Sequence, residues 1–526
     1  MLVGLGFPMI MVHWIMVCIS SPKFSLALNG GMHGYFHGAR GLRQGDPLSP
    51  YLFVIGMEFL SRKLSVLKDD SSFKFHPKCS KLKINHLIFA DDLLLFCKAD
   101  MSSIAKIYEC LQEFGQASGL EANASKCAVY ISGVSDSLKN QICSYLNFPE
   151  GVLPMKYLGL PLNAKRLSYS DCSSLIERIN KQFQTWQQRK FLSYAGRLEL
   201  IKSVILGIQT YWISNYILPV KVLERIDRMS SEFLWGHKIH LVNWESVCQG
   251  KEQGGLGIFS AKHWNFAAAT KLIWMIHLKK DLLWIKWIHG NYLQSFNIWS
   301  VPSKTNDSWI WRQLLKVRDM LLHKFGNVDS IEAAMTKCFA EGKLHLSAVY
   351  KSLIQPLITV PWAKTVWDSF LYPKHSFILW LVCHSRILTK DRLCRMGILS
   401  TNQSHCVLCD RQELETSSHI FFECQFSAEV WNSVLEWLKY RWRSCVWSLV
   451  LNWYSCNLKG KGPMKKLKRM CLSTAVYMIW KERNRRIFQG KMSLPAQVLR
   501  EIKFSVFAKV YNDSSNVHMK NIIEEL

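Results

Sequence analysis

Acidic residues are scarce in this sequence: 39 Asp and Glu stand against 66 Lys and Arg, a formal net charge of +27 at pH 7. So lopsided a balance attracts polyanions, and nucleic acid is the commonest of these, with ribosomal or membrane-surface proteins as the blander reading. No internal repeat and no low-complexity tract is present, which sets aside solenoids and disordered linkers. No phosphate-binding P-loop, Ser/His/Asp triad or ribonuclease-like carboxylate cluster stands out. Long uncharged runs are missing too, except at residues 1–21, MLVGLGFPMIMVHWIMVCISS. That stretch lacks the basic leader of a signal peptide, because the first lysine is Lys23, and His13, Gly6 and Pro8 interrupt it. A buried core helix is expected there, and no membrane span anywhere.

What is present reads as globular. The 526 residues are 49% hydrophobic and 20% charged, enough for two to four domains. The 17 cysteines are odd in number and scattered, which suits a reducing compartment with thiols free or on metal. Residues 1–165 mix short apolar runs with Gly/Pro turns, as an α+β domain does. From about 166 the pattern turns helical: Ser170-Asp171 can cap a helix through Lys190 with Leu175, Ile176, Ile179 and Phe183 on one face, and a second helix is expected from Gly196 through Trp212. Residues 302–308 read as a surface loop, and 345–440 as helical and Trp-rich. A Gly/Lys linker at 459–463 then opens a basic helical tail.

Three constellations carry chemistry. The string Gly41-Leu42-Arg43-Gln44-Gly45-Asp46-Pro47-Leu48-Ser49-Pro50 is a glycine-bearing loop opening into an apolar helix, expected from Tyr51 to Leu60, with Asp46 near its start and Pro47 in its first turn. Arg40 and Arg43 at such a helix start can receive phosphates, although any six of these residues alone would read as an ordinary capped helix. Next, Leu87-Ile88-Phe89-Ala90-Asp91-Asp92-Leu93-Leu94-Leu95-Phe96 reads as strand–turn–strand. Turns favour Asp, but two adjacent carboxylates in an apolar frame repel, and a divalent cation relieves that conflict. Finally, Cys406-x2-Cys409-x9-His419-x4-Cys424 offers three thiolates and one imidazole, a closed tetrahedral zinc set. Reduced core cysteines are the ordinary alternative, and His375, His384 and His405 lie near in sequence.

Together these strings resemble LINE-type (non-LTR) retrotransposon reverse transcriptases and the zinc-binding domain that follows the polymerase in plant elements. The resemblance implies that Arg43, Gln44 and Gly45 pack against template and nascent base pair. It also implies that Asp91 and Asp92 hold Mg²⁺ (or Mn²⁺). Ser118-Gly119-Leu120 with Asn123 and Lys126 resembles the motif whose lysine assists pyrophosphate departure, and a surface lysine after a turn is its plain alternative. Pro154 to Leu162, with Tyr157, Leu158 and Gly159 at its centre, resembles the primer-grip hairpin. Residues 192–197 and Gly254-Gly255-Leu256-Gly257 are similar to the family's thumb and connector. Trp362, Trp367, Pro373-Lys374, Phe377, Trp380 and the run Ser418–Cys424 resemble the zinc domain, with Zn²⁺ at Cys406, Cys409, His419 and Cys424 in a structural role.

The expected organisation is therefore α+β: a partial reverse-transcriptase palm at 1–165, a helical thumb and connector at 166–340, a zinc module at 341–435 and a basic tail at 436–526. RNA template and DNA primer or target are the implied partners, and the location nuclear or cytoplasmic. The family needs a third metal-binding aspartate before the region matching Gly6-Phe7-Pro8, and these residues do not include it, nor the fingers or endonuclease. The expectation is a polymerase fragment inactive alone. A non-catalytic nucleic-acid binder working through the zinc module and the basic clusters at 459–469 and 481–486 is the alternative, and a polymerase completed in trans or by a longer reading frame is the third.

Overall fold

In the computed structural model, residues 1–38, 41–163, 165–188, 192–236, 239–354, 358–460, 462–512 and 517–526 are described. Arg40, Lys190 and Lys461 lie outside them. The chain divides into two compact units, Met1–Ala164 with Leu272–Asn306, and Lys165–Lys271 with Asp307–Leu526.

The first unit is α+β. It holds helix α1 (Met9–Ser20), hairpin β1 (Lys23–Leu28) with β2 (Gly31–His37), helix α2 (Ser49–Val66), hairpin β3 (His86–Phe89) with β4 (Asp92–Leu95), helices α3 (Met101–Ser118) and α4 (Asp136–Leu146), and hairpin β5 (Met155–Tyr157) with β6 (Leu160–Leu162). Each sheet in the described residues is a two-stranded antiparallel pair. Helix α3 forms because Asp100 caps it, accepting from Ser103 N at 2.9 Å, and Gly119 ends it at φ 71°. Its apolar residues Ile107, Cys110 and Phe114 recur at helical spacing and bury against Met57, Leu60 and Leu64 of α2. Hairpin β3–β4 rests on this two-helix core through Ile88, Leu93 and Leu95. Asn85, fully buried, donates to Leu64 O, and His86 Nε2 lies 3.0 Å from Ser61 Oγ, pinning the hairpin's base to α2. Residues 272–306 return to this unit, where Trp287 Nε1 donates to Lys78 O at 2.8 Å.

Two expectations fail here. Helix α1 is apolar but no core helix: only Ile15 is buried, and Trp14 is 61% exposed. Helix α2 starts at Ser49, not Tyr51, with Pro50 in its first turn; Asp46 closes the preceding turn by accepting from Leu48 N at 2.8 Å. The helix outlasts the apolar run that ends at Leu60, continuing to Val66 with Leu64 buried.

The second unit is helical. Helix α5 (Ser173–Gln187) buries Leu175, Ile179 and Phe183 as its periodicity predicts. Asp171 does not cap it; its Oδ2 accepts from Ser168 N at 2.7 Å, a local turn that competes with the cap. Helix α6 (Tyr194–Leu200), capped by Ser193, runs through a π-helical segment at Ile201–Ile205 into α7 (Leu206–Ile213). Helix α8 (Val220–Trp235) follows. Further along come α9 (Pro373–Cys383), α10 (Gln425–Trp437), α11 (Trp447–Asn457), α12 (Pro463–Gln489), α13 (Pro495–Tyr511) and α14 (Val517–Glu524). Helix α12 is no loose tail. It starts on a proline and stops at Gly490 at φ 64°, and Leu467, Met470, Cys471, Leu472 and Ile479 are buried among its neighbours α9, α10, α13 and α14. No described helix is long and apolar enough to cross a membrane.

Candidate functional site

In the first unit, Asp91 and Asp92 stand at the tip of β3–β4, where Phe89 pairs with Asp92 across the two-residue turn Ala90-Asp91. Ala90 takes φ 51°, a left-handed conformation that a residue with a Cβ adopts at a cost, so the turn is held by its strands rather than by its own preference. Both carboxylates are exposed. Of the apolar frame, Ile88, Leu93 and Leu95 pack under the strands, while Phe89, opposite Asp92, is exposed at the tip. Adjacent exposed carboxylates fit a hard divalent ion, which binds through one or two carboxylates and completes its shell with water and substrate phosphate. They do not make a full cage: among the described residues, the one cluster of three or more such ligands lies elsewhere.

Hairpin β5–β6 turns at Leu158 (φ 49°) and Gly159 (φ 78°), both left-handed, the geometry of a tight type I′ turn. Burial raises the Tyr157 phenol above its ordinary value, and the Asp92 charge adds to that, so Tyr157 senses the carboxylate hairpin. Arg43, Gln44 and Gly45 are exposed in the loop before α2, with Gly45 at φ 92°. Lys126 is exposed too, in a turn closed by its own N–H to Asn123 O at 2.9 Å.

In the second unit, Cys406, Cys409, His419 and Cys424 converge, all four ligand atoms lying within 4.8 Å of one another. Backbone bonds from Cys406 N to Glu413 O (2.8 Å) and Glu415 N to Ser404 O (2.9 Å) fold the first two cysteines into a knuckle, and Leu408 N donates to Cys406 Sγ at 3.4 Å. Cys424 sits at the N-cap of α10, where the helix dipole favours a thiolate. Cys406 and Cys424 sulfurs are 4.0 Å apart, and Cys409 Sγ is 3.4 Å from His419 Nε2. Ligands about 2.0–2.3 Å from a tetrahedral zinc are separated by distances of this order, so the four residues fit the ion. Their thiol–thiol hydrogen bond holds Cys424 below the ordinary thiol value and Cys406 above it. None of the three spare histidines joins: His405 is exposed beside Asn402 O, His384 Nε2 lies 2.8 Å from Gly254 O, and His375 is buried against Thr474.

Sequence reasoning missed the support around this centre. Glu413 Oε2 lies 2.8 Å from His419 Nδ1, close but without hydrogen-bond geometry, so it places a negative charge beside the imidazole ligand. Helix α12 then holds the knuckle: the Arg486 guanidinium donates to Val407 O and Leu408 O, both at 3.2 Å. Arg483, 4% exposed, pairs with the fully buried Glu415 at 2.6 Å, and Glu415 also accepts from Lys390 N at 2.9 Å. Arg469 is buried against Asp368 and the carbonyls of Leu458 and Gly460. These arginines are occupied in the fold and are not free phosphate contacts, contrary to the sequence reading. Only Glu413 and Glu415, carboxylates between Cys409 and His419, left any signal in the sequence.

A carboxylate-tipped hairpin followed along the chain by a closed Cys₃His centre defines a class, the reverse transcriptases that carry a zinc module. The comparisons agree. A family model described as reverse transcriptase (RNA-dependent DNA polymerase) matches residues 5–162, and one described as zinc-binding in reverse transcriptase matches residues 345–431. The chain is similar to an Arabidopsis thaliana protein named as a ribonuclease H protein, 34% identical over 177 residues, 32% of this chain and 28% of that one. It is similar to the Pol polyprotein of the type-1 retrotransposable element R2 of Popillia japonica, 24% identical over 260 residues, 48% of this chain and 42% of the relative. It is also similar to the Pol polyprotein of the type-2 element R2DM of Drosophila melanogaster, 27% identical over 360 residues, 65% of this chain and 30% of the relative. The chain thus spans less than half the length of these relatives. Residues 5–162 thus match the reverse-transcriptase family and residues 345–431 its zinc-binding domain, and the similarity to retrotransposon Pol polyproteins points the same way.

Proposed function

We propose that these residues are the later part of a polymerase palm, acting in RNA-directed DNA synthesis on an RNA template and a DNA primer. The observation that carries it is the tip of β3–β4, two adjacent carboxylates held exposed on a turn whose Ala90 is left-handed. Asp91 and Asp92 would hold Mg²⁺ or Mn²⁺, which when bound activates the attacking primer hydroxyl and stabilises the leaving pyrophosphate. Tyr157, Leu158 and Gly159 position the primer end near Asp92. Arg43, Gln44 and Gly45 face the template, and Lys126 delivers a proton to the departing pyrophosphate. The centre at Cys406, Cys409, His419 and Cys424 holds zinc for structure, because four protein ligands leave no open position for chemistry.

Asp91 and Asp92 contribute two carboxylates, and a third is needed to bridge both ions of a two-metal site. Primer extension on an RNA template with Mg²⁺ tests this. The purified chain should extend nothing, and extension should appear when upstream residues bearing an aspartate strand are supplied in cis, then vanish in Asp91→Asn/Asp92→Asn. Extension by the 526 residues alone, lost in that double variant, would overturn the division of the site.

A further inference from the structure

Positive charge on this chain is unevenly compensated. From Trp437 through Lys481 there is no aspartate or glutamate. At the C-terminal end of α12, carboxylates answer the basic run: Lys481 pairs with Glu501 at 2.7 Å, Arg485 with Glu501 at 3.1 Å and Arg486 with Glu482 at 3.0 Å. At its N-terminal end, among the described residues, Asp368 answers Arg469 alone. Exposed Lys465 in the first turn and exposed Arg441 and Arg443 in the α10–α11 connection have no carboxylate partner among the described residues. Lys465 even sits where the helix dipole opposes a cation, so local stability does not account for it.

Aromatic rings lie among these charges. Tyr440, Trp442 and Trp453 pack on one another with ring centroids 5.1, 5.3 and 5.6 Å apart, and all three are only partly buried. Lys468 Nζ lies 4.0 Å over the Tyr440 ring, which ties the start of α12 to the ring cluster. We propose that this surface, Arg441, Trp442 and Arg443 with Lys465 and Lys468, binds single-stranded nucleic acid: phosphates on the unpaired cations and bases on the ring faces. Lys468 covers Tyr440, which leaves the partly exposed Trp442 and Trp453 for a strand with unstacked bases. The surface belongs to the second unit and the carboxylate hairpin to the first, so the proposal stands whether or not that hairpin polymerises. It keeps the sequence reading for the earlier run, which residues 441–443 join, and sets aside the run at 481–486, whose charges are paired.

The test is fluorescence anisotropy of a labelled mixed-sequence single-stranded RNA with the zinc-loaded full chain, beside the matching DNA strand, the duplex and phosphatidylserine vesicles. Each phosphate contact on a single strand contributes about 0.7 to the slope of log affinity against log salt, so Arg441→Ala/Arg443→Ala should lower that slope by about 1.4. Trp442→Ala should weaken binding roughly tenfold with the slope unchanged, as loss of one stacked base does. Lys481→Ala should leave both unchanged. Zinc content checks that each variant is folded, and the exposed arginine pair carries the test if Trp442→Ala is not. Unchanged affinity and slope in the arginine variant would overturn the proposal. So would an equal loss in Lys481→Ala, binding that favours the duplex, or binding to the vesicles without binding to RNA.

Discussion

Removing one partner of the Glu415–Arg483 pair should destabilise the zinc-bearing end of the chain far more than removing both. Arg483 is 4% exposed and Glu415 not at all, so either charge alone is stranded out of water. A buried pair broken on one side costs about 3–5 kcal/mol, whereas replacing both with groups of similar size is close to neutral. Glu415→Gln keeps an acceptor for the Lys390 N–H, which isolates the charge from that hydrogen bond. Arg483→Met keeps most of the side-chain volume. Each single variant should lose about 3–5 kcal/mol and the double variant less than about 2, a coupling of several kcal/mol. Native-state hydrogen exchange at Cys406–Cys424 and along α12 is the appropriate assay, because a chain of two units need not unfold in one step. If the double variant costs the sum of the singles, the pair is not coupled and the burial argument fails. If Arg483→Met instead lowers the salt slope of RNA binding while leaving exchange unchanged, Arg483 is a phosphate contact after all.

Other outcomes follow from the same structure. Glu413→Gln, which removes the charge facing His419 Nδ1, should lower zinc affinity ten- to a hundredfold in competition with a chromophoric chelator; a change under about threefold would remove Glu413 from the centre. Burial, with help from the Lys251 charge, lowers Lys202 from 10.5 to about 8, so between those pH values the unfolded chain binds a proton that the folded one does not. Stability should therefore gain a rising contribution from about pH 8 to 10.5 that Lys202→Met lacks, and parallel denaturation profiles for the two proteins would refute it. A Cβ at Gly255 would meet Gln249 O at 2.1 Å, so Gly255→Ala should cost about 1–3 kcal/mol in urea unfolding, and an unchanged midpoint would show that the backbone yields freely.

Legibility in the sequence followed the range of the interaction. Local signals were readable: the turn between two apolar runs at Ala90-Asp91, the Leu158-Gly159 hairpin, and the periodic face of α5 at Leu175, Ile179 and Phe183 all formed as read. The Cys₃His cluster was readable because metal ligands come at constrained spacings. What failed was competition and distance. Asp171 offered itself as a cap but bonded Ser168 instead, and a lysine- and arginine-rich helix read as a nucleic-acid contact because its carboxylate partners lie far away in sequence. The pairing of Arg483 with a glutamate 68 positions earlier leaves no periodic trace. Nor does the return of residues 272–306 to the first unit.

The hold of Arg486 on Val407 O and Leu408 O has a consequence in time as well as in energy. Synthesis delivers Cys424 before Gln489, the last residue of α12, and the 65 residues between them take roughly 3–13 s at about 5–20 residues per second. Through that interval the knuckle's thiols are made but their helical brace is not. Zinc captured during that interval would protect the nascent thiols from oxidation, and the arriving helix would then close over a loaded centre.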